Sequence, residues 1–223
     1  LMNTLNKTSH YFKETFYFGR TDMAKDKELL ELLRDTNLNR VLIGIESLNQ
    51  DSLDYINKKQ KIEDIRMCGE TLQKYNIKLI ASLVLGLDYD TKQDIRDAVQ
   101  FCKEINAYQL QPAILTPYPG TPIYEQFKKE KRILIDDWQY YDMMNVVFKP
   151  KNMSPWELQA EFFNAVDEFY SFKGALKMFK LFGFEAGMRR IGLCIASNVG
   201  CSIFKKASNS DNDNIYSQLK KAS

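Results

Sequence analysis

An acidic side chain at the end of an aliphatic run carries the first chemical signal. Val41 to Ser47 reads VLIGIES, which is how a strand buried on both faces, and parallel to its neighbours, ends at a polar tip. Alternation puts Val41, Ile43 and Ile45 on one face and Leu42, Gly44 and Glu46 on the other. The face with the carboxylate therefore also carries a residue without a side chain, which leaves room for a ligand. In parallel α/β folds the carboxyl ends of strands face the active site, the place expected for Glu46 and Ser47. No general acid and base pair stands out beside them. His10 is the only histidine, and Cys68, Cys102, Cys194 and Cys201 occur without CxxC or CxxxCxxC spacing. A histidine triad or histidine metal site is not expected within these residues. Cys68 and Cys102 fall on predicted helix faces as core residues.

The elements that would position these groups alternate. Glu14 to Thr21 suits a strand and turn, and Leu29, Leu30, Leu32 and Leu33 give a helix with Asp26 and Glu28 at its amino end. After Ser47 a short helix spans 51 to 57, and a longer one runs from Ile62 to Asn76. Lys78 to Leu87, KLIASLVLGL, repeats the buried strand and stops at Gly86 and Asp88. Thr91 with Asp94 caps the next helix, whose stripe is Ile95, Ala98, Val99, Cys102 and Ile105. Tyr108 to Thr116 is a further strand, with Pro112 predicting a bend or irregularity. Thr121-Pro122 reads as N-cap and first helical residue. Strand and helix in this alternation imply right-handed βαβ crossovers and a parallel sheet or barrel.

Beyond Ile133 the pattern turns irregular and aromatic, then helical from Ser154-Pro155-Trp156-Glu157, a Ser cap with Pro and a capping-box Glu. The division expected is 1–132 for the partial barrel, 133–204 for an irregular then helical extension, and 205–223 for a polar, mobile tail after the linker SNSDNDN. Residues 1–10 are read as the end of a helix. Ile191 to Phe204 is too short and too rich in Gly, Ser and Asn to span a bilayer. It either docks on the domain, the simpler reading, or lies on a membrane surface.

The 223 residues are 44% hydrophobic and 27% charged with a net charge of +2, a globular composition that gives no reason to expect nucleic acid. Scattered cysteines and no secretory signal point to a reducing cytoplasm. Residue 1 is Leu, so the numbering is expected to begin inside a longer gene product or after processing.

GIES at Gly44 to Ser47, LGLDYDT at Leu85 to Thr91 and LTPYPGTP at Leu115 to Pro122, in that order, resemble the radical S-adenosylmethionine (SAM) superfamily. The likeness covers roughly residues 10 to 170, and the third motif is closest to the subgroup joined to a cobalamin-binding domain. It implies an α/β fold, the carboxyl-terminal portion of a partial (β/α) barrel, followed by a helical extension. It also implies a 4Fe-4S cluster on a CxxxCxxC motif, SAM cleaved reductively to a 5′-deoxyadenosyl radical, and a small-molecule substrate. The cluster ligands, absent from this sequence, are expected upstream of Leu1 or on a separate cluster-binding chain, and cobalamin is a candidate cofactor. The alternative is a noncatalytic half barrel or split-gene subunit.

By the same resemblance Glu46, with Ser47, lies beside the SAM ribose or amino group; a helix cap or structural ion pair is the other reading of Glu46. Lys58 pairs with the methionyl carboxylate or is solvated surface. Ser82, Val84 and Gly86 share a strand face against adenine, or are ordinary barrel packing. Thr116 and Pro117 begin the rim near adenine, or a loop kept rigid for folding. Relatives often read GLPGDT where this chain has GLDYDT, so no role carries to Asp88 and Tyr89. Arg20 and Asp22 read as a surface ion pair on that rim. This account requires Glu46 and Gly86 to open to the same side of the sheet.

Overall fold

The computed structural model describes residues 16–35, 39–210 and 214–223; the helix end expected at residues 1–10, and His10, lie outside them. Among the described residues the strands β1 (Phe16–Gly19), β2 (Arg40–Glu46), β3 (Lys78–Leu85) and β4 (Gln109–Ile114) form one sheet in the order β1-β2-β3-β4. All three pairings are parallel. Strands in sequence order, joined by helices, make this the α/β architecture of a barrel segment. The helices are α1 (Lys27–Arg34), α2 (Gln50–Tyr55), α3 (Ile62–Lys74), α4 (Lys92–Glu104) and α5 (Pro122–Lys129). A helical carboxyl-terminal part follows: α6 (Pro155–Phe169), α7 (Phe172–Phe182), α8 (Phe184–Ser208) and α9 (Ile215–Lys221).

Local chemistry starts these helices where the residues predicted. Asp26 accepts from the Leu29 amide, Thr91 and Asp94 close a reciprocal capping box, and Ser154 and Glu157 close another with Pro155 in the first turn. Each such cap is worth about 1 kcal/mol.

Only one face of the sheet is sealed, where double burial of β2 was expected. Val41, Ile43 and Ile45 are buried with Leu79, Ala81 and Leu83 in one cluster with Ile65, Leu72 and Ile95 of α3 and α4. Leu42, Gly44 and Glu46 on the other face are half-buried, as are Ser82 and Val84.

Pro112 does not bend its strand: β3 and β4 pair without a register shift, Pro112 opposite Leu83. Its two neighbours of the same parity bond away from β3. The Tyr170 hydroxyl takes both backbone groups of Leu110, accepting from its amide at 3.1 Å and donating to its carbonyl at 2.8 Å. The Ile114 amide donates to Met143 O. Pro112 thus lacks a donor only where no ladder bond runs, and the outer edge of β4 is covered at Leu110 and Ile114.

The tail is also corrected. Ile215 is 6% exposed and Leu219 fully buried in the main cluster, α9 packs on α6, and Asn214 caps it. One apolar residue per turn anchors a seven-residue helix that composition alone marks as solvated.

Candidate functional site

The end of β2 is built around a strained turn. Glu46 has φ +67° and the Ser47 amide donates to Ile45 O at 3.0 Å, a three-residue γ-turn of the rare positive-φ kind. The register against β3 shifts between Gly44 and Glu46, so the bulge, not simple alternation, aims the carboxylate. Two groups clamp the turn. Gln60 Nε2 donates to Gly44 O at 3.2 Å and Ile45 O at 2.8 Å. On the other side the Ser47 hydroxyl donates to Asp90 at 2.8 Å, Ser52 donates to the same oxygen at 2.5 Å, and the Asn49 amide donates to Ser47 Oγ.

Glu46 folds back over Gly44 and meets Lys58, Oε1 to Nζ at 2.7 Å. A Cβ on Gly44 would run into Glu46 Oε1 and come within 2.7 Å of Lys58 Nζ. The missing side chain is therefore the condition for this ion pair. Gly44 sits opposite Ser82, so the pair, a small hydroxyl and an open backbone share the half-buried face. Beside them a cleft of about 410 Å³ opens between Gly19, Arg20, Gly44, Lys58, Lys59 and Gln60. It offers three cations, suited to a carboxylate or another anion.

The other expected residues sort unevenly. Ser47 is 4% exposed and its hydroxyl is committed to Asp90 and Asn49, which removes it from the groups open to a ligand. Ser82 and Val84 share the cleft face, but Gly86 does not join them. It lies past the end of β3 with φ +89°, and a Cβ there would point at Leu158 Cδ2 (2.5 Å) and Phe148 Cζ (3.4 Å). Leu158 and Phe148 therefore fill the space at Gly86, which offers no open backbone to a ligand, and its left-handed backbone ends the alternation that would have set it with Ser82 and Val84. Thr116 is half-buried and donates to Ile114 O at 2.9 Å, and Pro117 is buried. Arg20 and Asp22 form an exposed pair at 3.6 Å.

Sequence reasoning missed two buried acids. Asp88 takes both terminal nitrogens of Arg132, at 2.6 and 3.1 Å, and Lys151 at 2.7 Å. Burial alone would raise this carboxyl, but the paired cations outweigh it and hold it below the usual range. Asp90 is the opposite case: burial pushes it from 3.8 up to about 6, against the hydrogen bonds from Ser52 and Ser47. The acids at Asp88 and Asp90 were visible in LGLDYDT; their partners, about 40 to 60 residues distant, were not. Because the folded chain holds the Asp90 proton more tightly than the unfolded chain, this contribution is full below pH 3.8 and is lost as the pH rises through about 6. Asp90→Asn keeps the acceptor and abolishes the titration. Wild-type stability minus that of the variant should fall by about 2–3 kcal/mol between pH 4 and 7, read from urea melts; a difference flat with pH contradicts the assignment.

For a cluster the described residues offer nothing: no three His, Cys, Asp or Glu come together to hold a metal ion, and all four cysteines are buried. They do not fit an iron–sulfur centre.

A profile of the Radical SAM superfamily matches residues 6–102. Bacteriochlorophyllide d C-8(2)-methyltransferase of Chlorobaculum tepidum is 30% identical over 168 residues, 71% of this chain and 36% of that enzyme. Residues 6–102 thus match the radical SAM superfamily. It is also similar to the anaerobic magnesium-protoporphyrin IX monomethyl ester cyclase of Cereibacter sphaeroides, 26% identical over 67% of this chain and 24% of the cyclase. The Hopanoid C-2 methylase of Rhodopseudomonas palustris is 28% identical over 52% of this chain and 22% of the methylase. The chain thus spans about a quarter to a third of these relatives' length. Among solved structures, the radical SAM methyltransferase TsrM of Kitasatospora setae, with cobalamin and a 4Fe-4S cluster bound, aligns with a TM-score of 0.47 and 15% identity, covering 72% of this chain and 32% of TsrM.

Proposed function

We propose that this chain is the SAM-holding portion of a radical SAM enzyme acting on a small molecule, with methyl transfer or ring closure as the reaction classes its relatives suggest. The observation that carries the reading is the Glu46–Lys58 pair laid across Gly44 at the mouth of the cationic cleft. An α-amino acid end bears the complementary charges: its ammonium suits Glu46 and its carboxylate suits Lys58, so binding replaces one ion pair by two. Ser82 and Val84, small and half-buried, leave the adjacent sheet face open to an apolar ring. In this family SAM supplies the 5′-deoxyadenosyl group that abstracts hydrogen. The residues here bind and orient; the turn held by Gln60 and Asp90 keeps the carboxylate in place before the ligand arrives. The cluster ligands would come from a CxxxCxxC motif that these 223 residues do not contain.

Titration calorimetry tests this. SAM should bind, and Glu46→Ala or Lys58→Ala should each weaken it by about tenfold or more. Lys58→Ala should leave adenosine binding unchanged, because adenosine has no carboxylate. Equal SAM affinity in wild type and both variants would sink the assignment.

A further inference from the structure

Helix α8 is apolar on two opposite faces, and the domain covers only one. Cys194, Cys201 and Phe204 are buried, and Arg190 fastens the same face, donating to Tyr108 O at 2.7 Å and Phe169 O at 3.1 Å. A step of 100° per residue puts Phe184, Met188, Ile195, Val199 and Ile203 within about a third of the helix circumference, on the other side. All five are exposed, Phe184 at 76% and Ile203 at 63%. The stripe runs about 28 Å. On α7, Phe172 (61%) and Leu176 (64%) are exposed too. Phe179 packs on Gly187, where a Cβ would overlap its ring, so the two helices form a close hairpin. A Cβ added at Gly192 or Gly200 would meet nothing.

Charge selects the occupant. Residues 171–210 hold seven basic side chains (Lys173, Lys177, Lys180, Arg189, Arg190, Lys205 and Lys206) and one acid, Glu185. The whole chain has 31 and 29, so the remainder has 24 basic and 28 acidic residues and is net negative, while this hairpin is strongly positive. A second copy packed stripe to stripe would bring two such hairpins into like-charge contact. No helix among the described residues is long and apolar enough to cross a membrane, which leaves lying in the interface rather than spanning it. We propose that the exposed faces of α7 and α8 lie in the plane of an anionic lipid surface, with the phenylalanines and aliphatic stripe in the acyl boundary and the lysines on the headgroups. The two readings of this segment drawn from the residues then hold together, on opposite sides of one helix.

Vesicle sedimentation tests the proposal. The chain should partition into phosphatidylcholine vesicles containing phosphatidylserine at least about tenfold more strongly than into phosphatidylcholine alone, and lose that preference in high salt. The triple variant Ile195→Ser, Val199→Ser, Ile203→Ser removes exposed side chains only. It should keep its helical circular dichroism and melting temperature while partitioning at least about tenfold less. The pair Lys173→Ser, Lys180→Ser should weaken binding to the anionic vesicles alone. No partition into either vesicle, equal partition into both, or a triple variant that binds as wild type each overturns the proposal. So does a concentration-dependent dimer, seen by light scattering, that the triple variant abolishes.

Discussion

Arg132→Ala should destabilise the chain by about 3–5 kcal/mol, the usual cost of removing one partner from a buried charge pair. Arg132 is 7% exposed and Asp88 3%. The guanidinium bonds both Asp88 oxygens, Glu130 at 2.9 Å and Lys149 O at 2.7 Å, and its carbon lies 4.0 Å from the Phe127 ring centre. Truncation leaves Asp88 desolvated with only Lys151, which is half-exposed, and the Phe127 face uncovered. The double variant Arg132→Met, Asp88→Asn removes both charges and should recover most of the loss, since an uncompensated charge and not a missing contact is what costs. Urea denaturation reads both. A single variant within 1 kcal/mol of wild type would show that Lys151 alone satisfies Asp88.

Gly86→Ala should cost about 2–5 kcal/mol. The residue sits at φ +89° and its new methyl would meet Leu158, fully buried, at 2.5 Å; a left-handed conformation costs about 1–2 kcal/mol and overpacking about 1–3 more. Leu158→Ala alone should lose about 2–5 kcal/mol by leaving a cavity. In the double variant the methyl enters that space, so the summed losses should exceed the measured one by about 1 kcal/mol or more. Strict additivity would mean that Gly86 does not face Leu158, which would reopen its place beside the ligand.

Both predictions rest on contacts that link distant parts of the chain, and there reading from residues alone runs out. The strands, their order and the helix starts were legible. The aliphatic run from Val41 to Ile45 marked a strand, though it did not show that one of its faces stays half-open, and Thr91 with Asp94 completes its hydrogen bonds within four residues. Glu46 and Gly44 were legible as a carboxylate next to a space. The pairing of Glu46 with Lys58 was not, since it depends on a bulge and on a loop that returns over the strand end. Gly86 misled because alternation holds only while the backbone stays extended. The tail misled because a polar linker says nothing about the helix after it, and Ile215 and Leu219 bury only where α6 offers a groove.

The amino-acid sequence by itself determined the strand and helix positions, the parallel α/β order and the likeness to the radical SAM superfamily, because periodicity, capping and short motifs act over a few residues. Only the tertiary structure decided which acids are paired, which glycine makes room for the ion pair and which face of α8 is left uncovered. Those outcomes arise from groups more than ten residues apart meeting at distances near 3 Å, where burial and charge, not spacing along the chain, set the energy.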